Sequence, residues 1–187
     1  MPGQPGRSRR SGPPTSWGWH PLTDTWARRV VAGSPVDPGD LVLDAGAGLG
    51  ALTRPLLASG ARVLAVELHP GRLAALRSLA DDEPRLRVVR ADVRDLRLPR
   101  RPFRVVASPP YEGSSALLTR LLAPGSRLVS ADLVVQRGLA RRFAEGRAPG
   151  AGRWGAAFDL GLGPALPRTA FARAPRVDSV VLRVRRR

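Results

Sequence analysis

Three carboxylates close three short apolar runs in the first half of this sequence: Asp44 in LVLDAG, Glu67 in RVLAVEL and Asp92 in LRVVRAD. A fourth run, FRVVAS, ends instead in Ser108-Pro109-Pro110-Tyr111. Acids at successive strand ends place hydrogen-bond acceptors on one rim, and ligands of open α/β sheets sit on that rim. Glu67 follows Asp44 by about twenty residues, the spacing at which an acid accepts from both hydroxyls of a ribose. Asp92 is suited to accept from the exocyclic amine of a cofactor adenine. After Asp44, the segment AGAGLGALT sets Gly46, Gly48 and Gly50 where the backbone must approach a ligand closely, with a helix N-terminus beyond. Gly46, Gly48 and Ala51 also satisfy a loose dinucleotide fingerprint. Such a ribose site suits NAD and S-adenosylmethionine alike.

The tetrapeptide separates the two. Hydride transfer has no evident use for it, whereas methyl transfer to an aromatic amine does. An adenine N6 is a poor nucleophile because its lone pair is delocalised into the ring. Hydrogen bonds from N6–H to the Ser108 hydroxyl and the Pro109 carbonyl favour a more tetrahedral nitrogen, its lone pair aimed at a sulfonium methyl. Prolines fix φ and remove N–H groups, so the carbonyl is held in place with no local donor to satisfy it. Tyr111 is then placed to stack on a flipped base. No base of special pKa is needed: His69 lies beside the ribose acid and His20 near the N-terminus. The plainer alternative is a Pro-Pro turn carrying a packed tyrosine.

Periodicity gives the elements that must hold these residues. Strands are expected at 41–46, 62–68, 86–92, 103–108 and 131–136, and helices at 51–60, 70–80, 114–122 and 137–146. Pro70 opens the second helix, and Leu73, Leu76 and Ala80 share its apolar face. Strand and helix alternating at this spacing imply βαβ units and a mostly parallel sheet. Residues 176–187 alternate as a strand, expected to close an antiparallel edge hairpin with part of 156–171. Residues 148–158 read as a glycine-rich loop with Trp154 as a packing anchor.

A length of 187 residues with 43% hydrophobic content suits one α/β domain. The formal net charge is +16 and all 31 basic residues are arginine, which points to a polyanionic partner, nucleic acid above all. The absence of cysteine excludes disulfides, thiolate metal sites and cysteine nucleophiles; no metal is expected, and a reducing cytoplasm is. No apolar run approaches the ~20 residues that span a bilayer. Residues 1–14, MPGQPGRSRRSGPP, have charge but no apolar h-region, and are expected as a disordered basic tail ahead of a catalytic domain at 15–187.

Taken together, these motifs make the chain resemble the ribosomal RNA adenine-N6 methyltransferases. The likeness is to the Erm family in particular, which methylates 23S rRNA and confers macrolide, lincosamide and streptogramin B resistance. LVLDAGAGLGALT resembles the family's cofactor loop, AVEL its ribose-binding strand, RADVRDL its adenine-binding acid and SPPY its catalytic tetrapeptide. ADLVVQRGLARRFA and PRTAFARAPRVDSVVLRVRRR extend the likeness from Leu22 to Arg187. It implies a Rossmann-like S-adenosylmethionine-dependent methyltransferase fold. It implies Leu22, Asp44, Gly46, Gly48, Glu67, Leu68, Asp92, Val93 and Ser108 at the cofactor, Ser108, Pro109 and Tyr111 in catalysis, and Tyr111 with Phe171 stacking on the base, a core position suiting Phe171 equally well. The implied partner is 23S rRNA, with no membrane, and the protein is expected to act as a monomer.

The departures from the family pattern are specific. The family usually has asparagine where Ser108 stands, which bears on rate and on the number of methyl groups added. WHPLTD, residues 19–24, replaces a segment resembling QNFLTD and keeps Leu22, Thr23 and Asp24. Arg173 replaces the first proline of a Phe-x-Pro-x-Pro pattern, leaving Phe171 and Pro175. Family members usually continue past VRRR into a small helical domain. RNA binding is therefore expected to rest on the catalytic domain, with Arg137, Arg141 and Arg142 as candidate phosphate contacts.

Overall fold

The valine- and leucine-rich runs assemble into a seven-stranded sheet: β1 (Leu41–Ala45), β2 (Arg62–Glu67), β3 (Leu86–Arg90), β4 (Phe103–Ala107), β5 (Leu128–Gln136), β6 (Phe158–Leu166) and β7 (Ser179–Arg186). The structure is a computed structural model that describes residues 19–187, so the tail expected at 1–14 lies outside the described residues. Strand order is β3-β2-β1-β4-β5-β7-β6. The first five strands pair in parallel. β7 runs antiparallel between β5 and β6 and forms the expected edge hairpin with β6. The chain steps outward from β1 to β3 and then returns to lay β4 on the other side of β1, which makes the crevice above β1 and β4 the switch point where such sheets bind ligands.

Helices cover both faces of the sheet over most of its central strands β1, β4 and β5, which are buried nearly throughout. On one face α1 (Asp24–Ala32), α2 (Thr53–Ala58) and α3 (Pro70–Asp81) bring Val30, Leu56 and Leu76 onto Val42, Val63 and Val106. On the other, α4 (Tyr111–Leu121), α5 (Arg137–Ala144) and α6 (Ala151–Trp154) bring Leu118, Phe143 and Trp154 onto Leu43, Val105 and Leu133. Neighbouring strand residues serve opposite cores because side chains alternate at a period of two.

Three elements differ from expectation. No helix was expected at α1, which buries Ala27, Val30 and Val31 at helical spacing with Trp26 packed beside them; Asp24 favours its first turn electrostatically and Gly33 ends it. α4 starts at Tyr111 rather than Ser114, because Pro110 needs no N–H at a helix entrance. Within the expected loop 148–158, α6 makes one turn and buries Trp154 against Phe143, ring centroids 5.9 Å apart.

Candidate active site

The glycine turn joins β1 to α2 through left-handed backbone at Gly46 (φ +80°) and Gly48 (φ +61°), a region that side chains rarely adopt. The amides of Gly46 and Ala47 both donate to the Val66 carbonyl, which ties the turn to β2. A Cβ on Gly46 would lie 2.8 Å from Pro110 Cδ, and one on Gly48 2.8 Å from Trp19 Nε1. The turn is therefore clamped between the proline pair and Trp19, and three adjoining pockets of about 330, 120 and 20 Å³ meet at Gly46.

Asp44 lies beneath this turn, 1% exposed, and accepts a 2.6 Å hydrogen bond from the Thr53 hydroxyl. Burial pushes its carboxyl up to about 7; the Thr53 bond opposes the rise and the nearby Glu67 charge adds to it. The folded chain thus holds this proton more tightly than the unfolded chain. The stability that Asp44 contributes is complete below pH 4 and is lost as pH rises towards 7. Asp44→Asn keeps the Thr53 bond and removes the ionisation. The wild type is expected to lose on the order of 2–4 kcal/mol relative to this variant between pH 4 and pH 8, measured by denaturant unfolding. Parallel pH profiles for the two proteins would sink the assignment.

Glu67 is 5% exposed, and three backbone amides hold it: Gly48 N–H donates to Oε2 at 2.9 Å, and Leu68 and His69 N–H donate to Oε1 at 2.8 Å. A carboxylate has about four acceptor positions. Both ribose hydroxyls can therefore be accepted only if an amide contact gives way. Asp92 is similarly engaged, since Arg94 donates to it through its backbone N–H, Nε and Nη2. Those bonds hold the Asp92 carboxyl below the usual carboxylate range. Glu67, Leu68, Asp92 and Val93 nevertheless share one pocket wall with Gly46 and Pro110.

Ser108 faces the cleft between Trp19, His20 and Pro109. Neither its hydroxyl nor the Pro109 carbonyl has a hydrogen-bond partner among the described residues. The Pro110 carbonyl, by contrast, accepts from Gly113 N–H and the Ser114 hydroxyl. Tyr111 is pinned at both ends. Its hydroxyl is 2.6 Å from the Ser179 hydroxyl at the start of β7, and its ring stacks on His20 with centroids 5.5 Å apart. Burial raises the Tyr111 phenol pKa, and the Ser179 bond opposes the rise. His20 Nδ1 lies 3.0 Å from the Arg173 carbonyl, fixing the far side of the stack. In the folded chain Tyr111 thus stacks on a histidine, so a base entering on that face must displace His20.

Breaking the Tyr111–Ser179 bond leaves one buried hydroxyl unpaired. Tyr111→Phe and Ser179→Ala are each expected to cost about 1–2 kcal/mol. The double variant should cost less than the two single costs added, by about 1 kcal/mol in a double-mutant cycle. Additive costs would show that the two hydroxyls do not interact.

Phe171 departs from the expected stacking position. It is 5% exposed, bridges to Leu22 and packs with Leu166, Ala170 and Val181, so its ring belongs to the core. Leu22 itself reaches the larger pocket together with Asp44 and Ser108. Arg137, Arg141 and Arg142 project as exposed side chains from α5, just past the carboxyl end of β5 and so on the same rim.

Sequence reasoning missed Arg72, and singled out Trp19 only as part of the departing WHPLTD segment. The Arg72 guanidinium lies 3.6 Å from Glu67 Oε1 and 5.0 Å from the Trp19 ring centroid, and its buried Nε has no hydrogen-bond partner. The sequence signal for Arg72 was its place in the first turn of α3, just past Glu67. No cluster of three or more acidic or histidine side chains able to hold a metal occurs among the described residues, and no helix there is long and apolar enough to cross a membrane.

Comparison with known proteins gives this geometry its context. The chain is 35% identical over 190 residues to an rRNA adenine N-6-methyltransferase of Aeromicrobium erythreum, a match that covers 97% of this chain and 54% of that protein. It is 37% identical over 154 residues to the ribosomal RNA small subunit methyltransferase A of Synechococcus sp. strain JA-2-3B'a(2-13), covering 76% of this chain and 54% of that protein. It thus spans about half the length of these relatives. Its fold superposes on the crystal structure of the 23S rRNA methyltransferase ErmE with a TM-score of 0.77 and 30% identity, over 89% of this chain and 70% of that one. The expected Rossmann-like methyltransferase fold is the one observed. The family profile described as ribosomal RNA adenine dimethylase matches residues 15–187, and the chain belongs to that family.

Proposed function

We propose that this chain transfers methyl from S-adenosylmethionine to N6 of an adenine in 23S rRNA. The observation that carries this reading is the pair of unpartnered acceptors, the Ser108 hydroxyl and the Pro109 carbonyl, set beside Tyr111 at the carboxyl end of β4. The cleft fits the cofactor. Gly46 borders all three pockets of the cleft without a side chain to fill them, Glu67 and Asp92 offer acceptors, and the orphaned Nε of Arg72 calls for one. Leu22 and Asp44 on one side, and Leu68 and Val93 on the other, complete its walls. When bound, the cofactor supplies an electrophilic methyl group. Ser108 and Pro109 accept from the adenine amine and orient it, Tyr111 supports the base, and Arg137, Arg141 and Arg142 take phosphates beside the rim.

The likeness to ErmE supports 23S rRNA as the substrate. The small-subunit methyltransferase relative favours a second reading, small-subunit rRNA. Methyl incorporation into 23S rRNA, 16S rRNA and duplex DNA, followed by mass spectrometry of the product, separates them. Labelled N6-methyladenine in 23S rRNA is expected, together with raised macrolide tolerance in bacteria expressing the chain. Preference for 16S rRNA or DNA overturns the substrate, and transfer to none of them overturns the activity. The proposed protein works as a monomer on cytoplasmic ribosomal RNA.

A further inference from the structure

We propose that the open face of β1, β2 and β3, at the amino ends of these strands, is a second RNA contact that grips the phosphate backbone of the substrate. The proposal rests on the rRNA reading above and adds a site at the opposite end of the sheet from the methyl-transfer rim. Parallel register pairs Leu41 with Arg62 and Leu64 with Arg87, and side-chain alternation puts these four residues and Val89 on one face. A parallel sheet normally carries a helix over such a face. Here the β3–β4 connection forms no helix, and it runs beside the face as Arg97-Leu98-Pro99-Arg100-Arg101. The result is a groove of about 730 Å³, larger than the pockets on the rim.

Five arginines along it, Arg62, Arg87, Arg97, Arg100 and Arg101, are exposed and have no carboxylate partner among the described residues. Arg85 differs, being committed to Glu83 and to the Leu57 carbonyl. No acidic side chain lines the groove, while Leu64, Val89 and Leu98 give the guanidinium stems an apolar floor. An apolar partner would leave these guanidiniums buried and unpaired, and a second copy of the chain would bring like charge against them. A polyanion satisfies all five, and arginine forks bind phosphate bidentately. The groove and the rim are separated by the length of the strands, roughly 17–20 Å, so a structured RNA reaches both while a short oligonucleotide reaches only one.

The test is a triple variant, Arg87→Ala with Arg97→Ala and Arg100→Ala, set against a charge-matched control with Arg28→Ala, Arg77→Ala and Arg153→Ala on exposed helix positions. Affinity for a structured 23S rRNA transcript is measured by filter binding across a salt series. S-adenosylmethionine titration and thermal melting confirm that both variants are folded. The groove variant is expected to flatten the dependence of log affinity on log salt by roughly 2, while the control flattens it by less than 1. Equal slopes for the two variants, or no RNA binding by the wild type, overturn the groove. Methyl transfer is scored separately: a wild type that binds the transcript but methylates no RNA overturns the activity, while the salt slopes still decide the groove.

Discussion

Gly46→Ala is expected to lower the melting temperature by about 5–15 °C and to slow methyl transfer by at least tenfold in the folded protein. Two costs combine at this position. Left-handed backbone at φ +80° penalises any Cβ by about 1–2 kcal/mol. The new Cβ would also lie 2.8 Å from Pro110 Cδ and 3.2 Å from Pro109 Cα, atoms held by rings and backbone with no alternative rotamer. Overpacking of this kind adds about 1–3 kcal/mol. Relief requires movement of the segment that carries the Pro109 carbonyl, and a displacement approaching 1 Å costs about 10² in rate. Gly60→Ala is the control, with φ +88° and a Cβ 3.0 Å from Pro38 Cβ, remote from the rim. It should lose comparable stability while keeping kcat. Equal kcat for wild type and Gly46→Ala would show that the glycine turn does not set the tetrapeptide.

Ser108→Ala is expected to lower kcat by about 10²–10³ while S-adenosylmethionine still binds, the cost of removing one preorganised hydrogen-bonding group from a reacting centre. Nothing in the fold needs the hydroxyl, because it has no partner among the described residues. A fall in rate without a fall in melting temperature therefore isolates its role. Ser108→Asn retains an acceptor oxygen on a longer side chain and should keep transfer, with mass spectrometry reporting whether one or two methyl groups are added. Wild-type kcat in Ser108→Ala would remove Ser108 from the chemistry.

The sheet was legible because its evidence is local. Consecutive apolar residues such as Val42-Leu43 suit a strand covered on both faces, and β1 appears where that run stands. The rim followed from it, since Glu67, Asp92 and Ser108 close or directly follow their strands. What those side chains touch was not legible. Glu67 is engaged by the Gly48 amide across 19 positions, and His20 reaches the Arg173 carbonyl across 153. Such distances carry no periodic signal. Phe171 was ambiguous for the same reason: whether an aromatic faces a cleft or a core depends on its partner, here Leu22, far away in the chain. No helix was expected between 92 and 103, but that this leaves a face of β2 and β3 uncovered became visible only with the strand order and register.

The hydroxyl contact between Tyr111 and Ser179 also dictates an order of assembly. β7 is inserted between β5 and β6, although both precede it in the chain, so those two strands stay apart until β7 has been synthesised. A nascent chain that has not reached Ser179 holds the glycine turn, the proline pair and His20, but its tyrosine hydroxyl lacks a partner. Pairings this distant in sequence form late in folding. Premature release of the polypeptide would therefore leave a fragment in which Tyr111 keeps its histidine stack and loses its hydroxyl partner, so the rim is completed only when β7 docks.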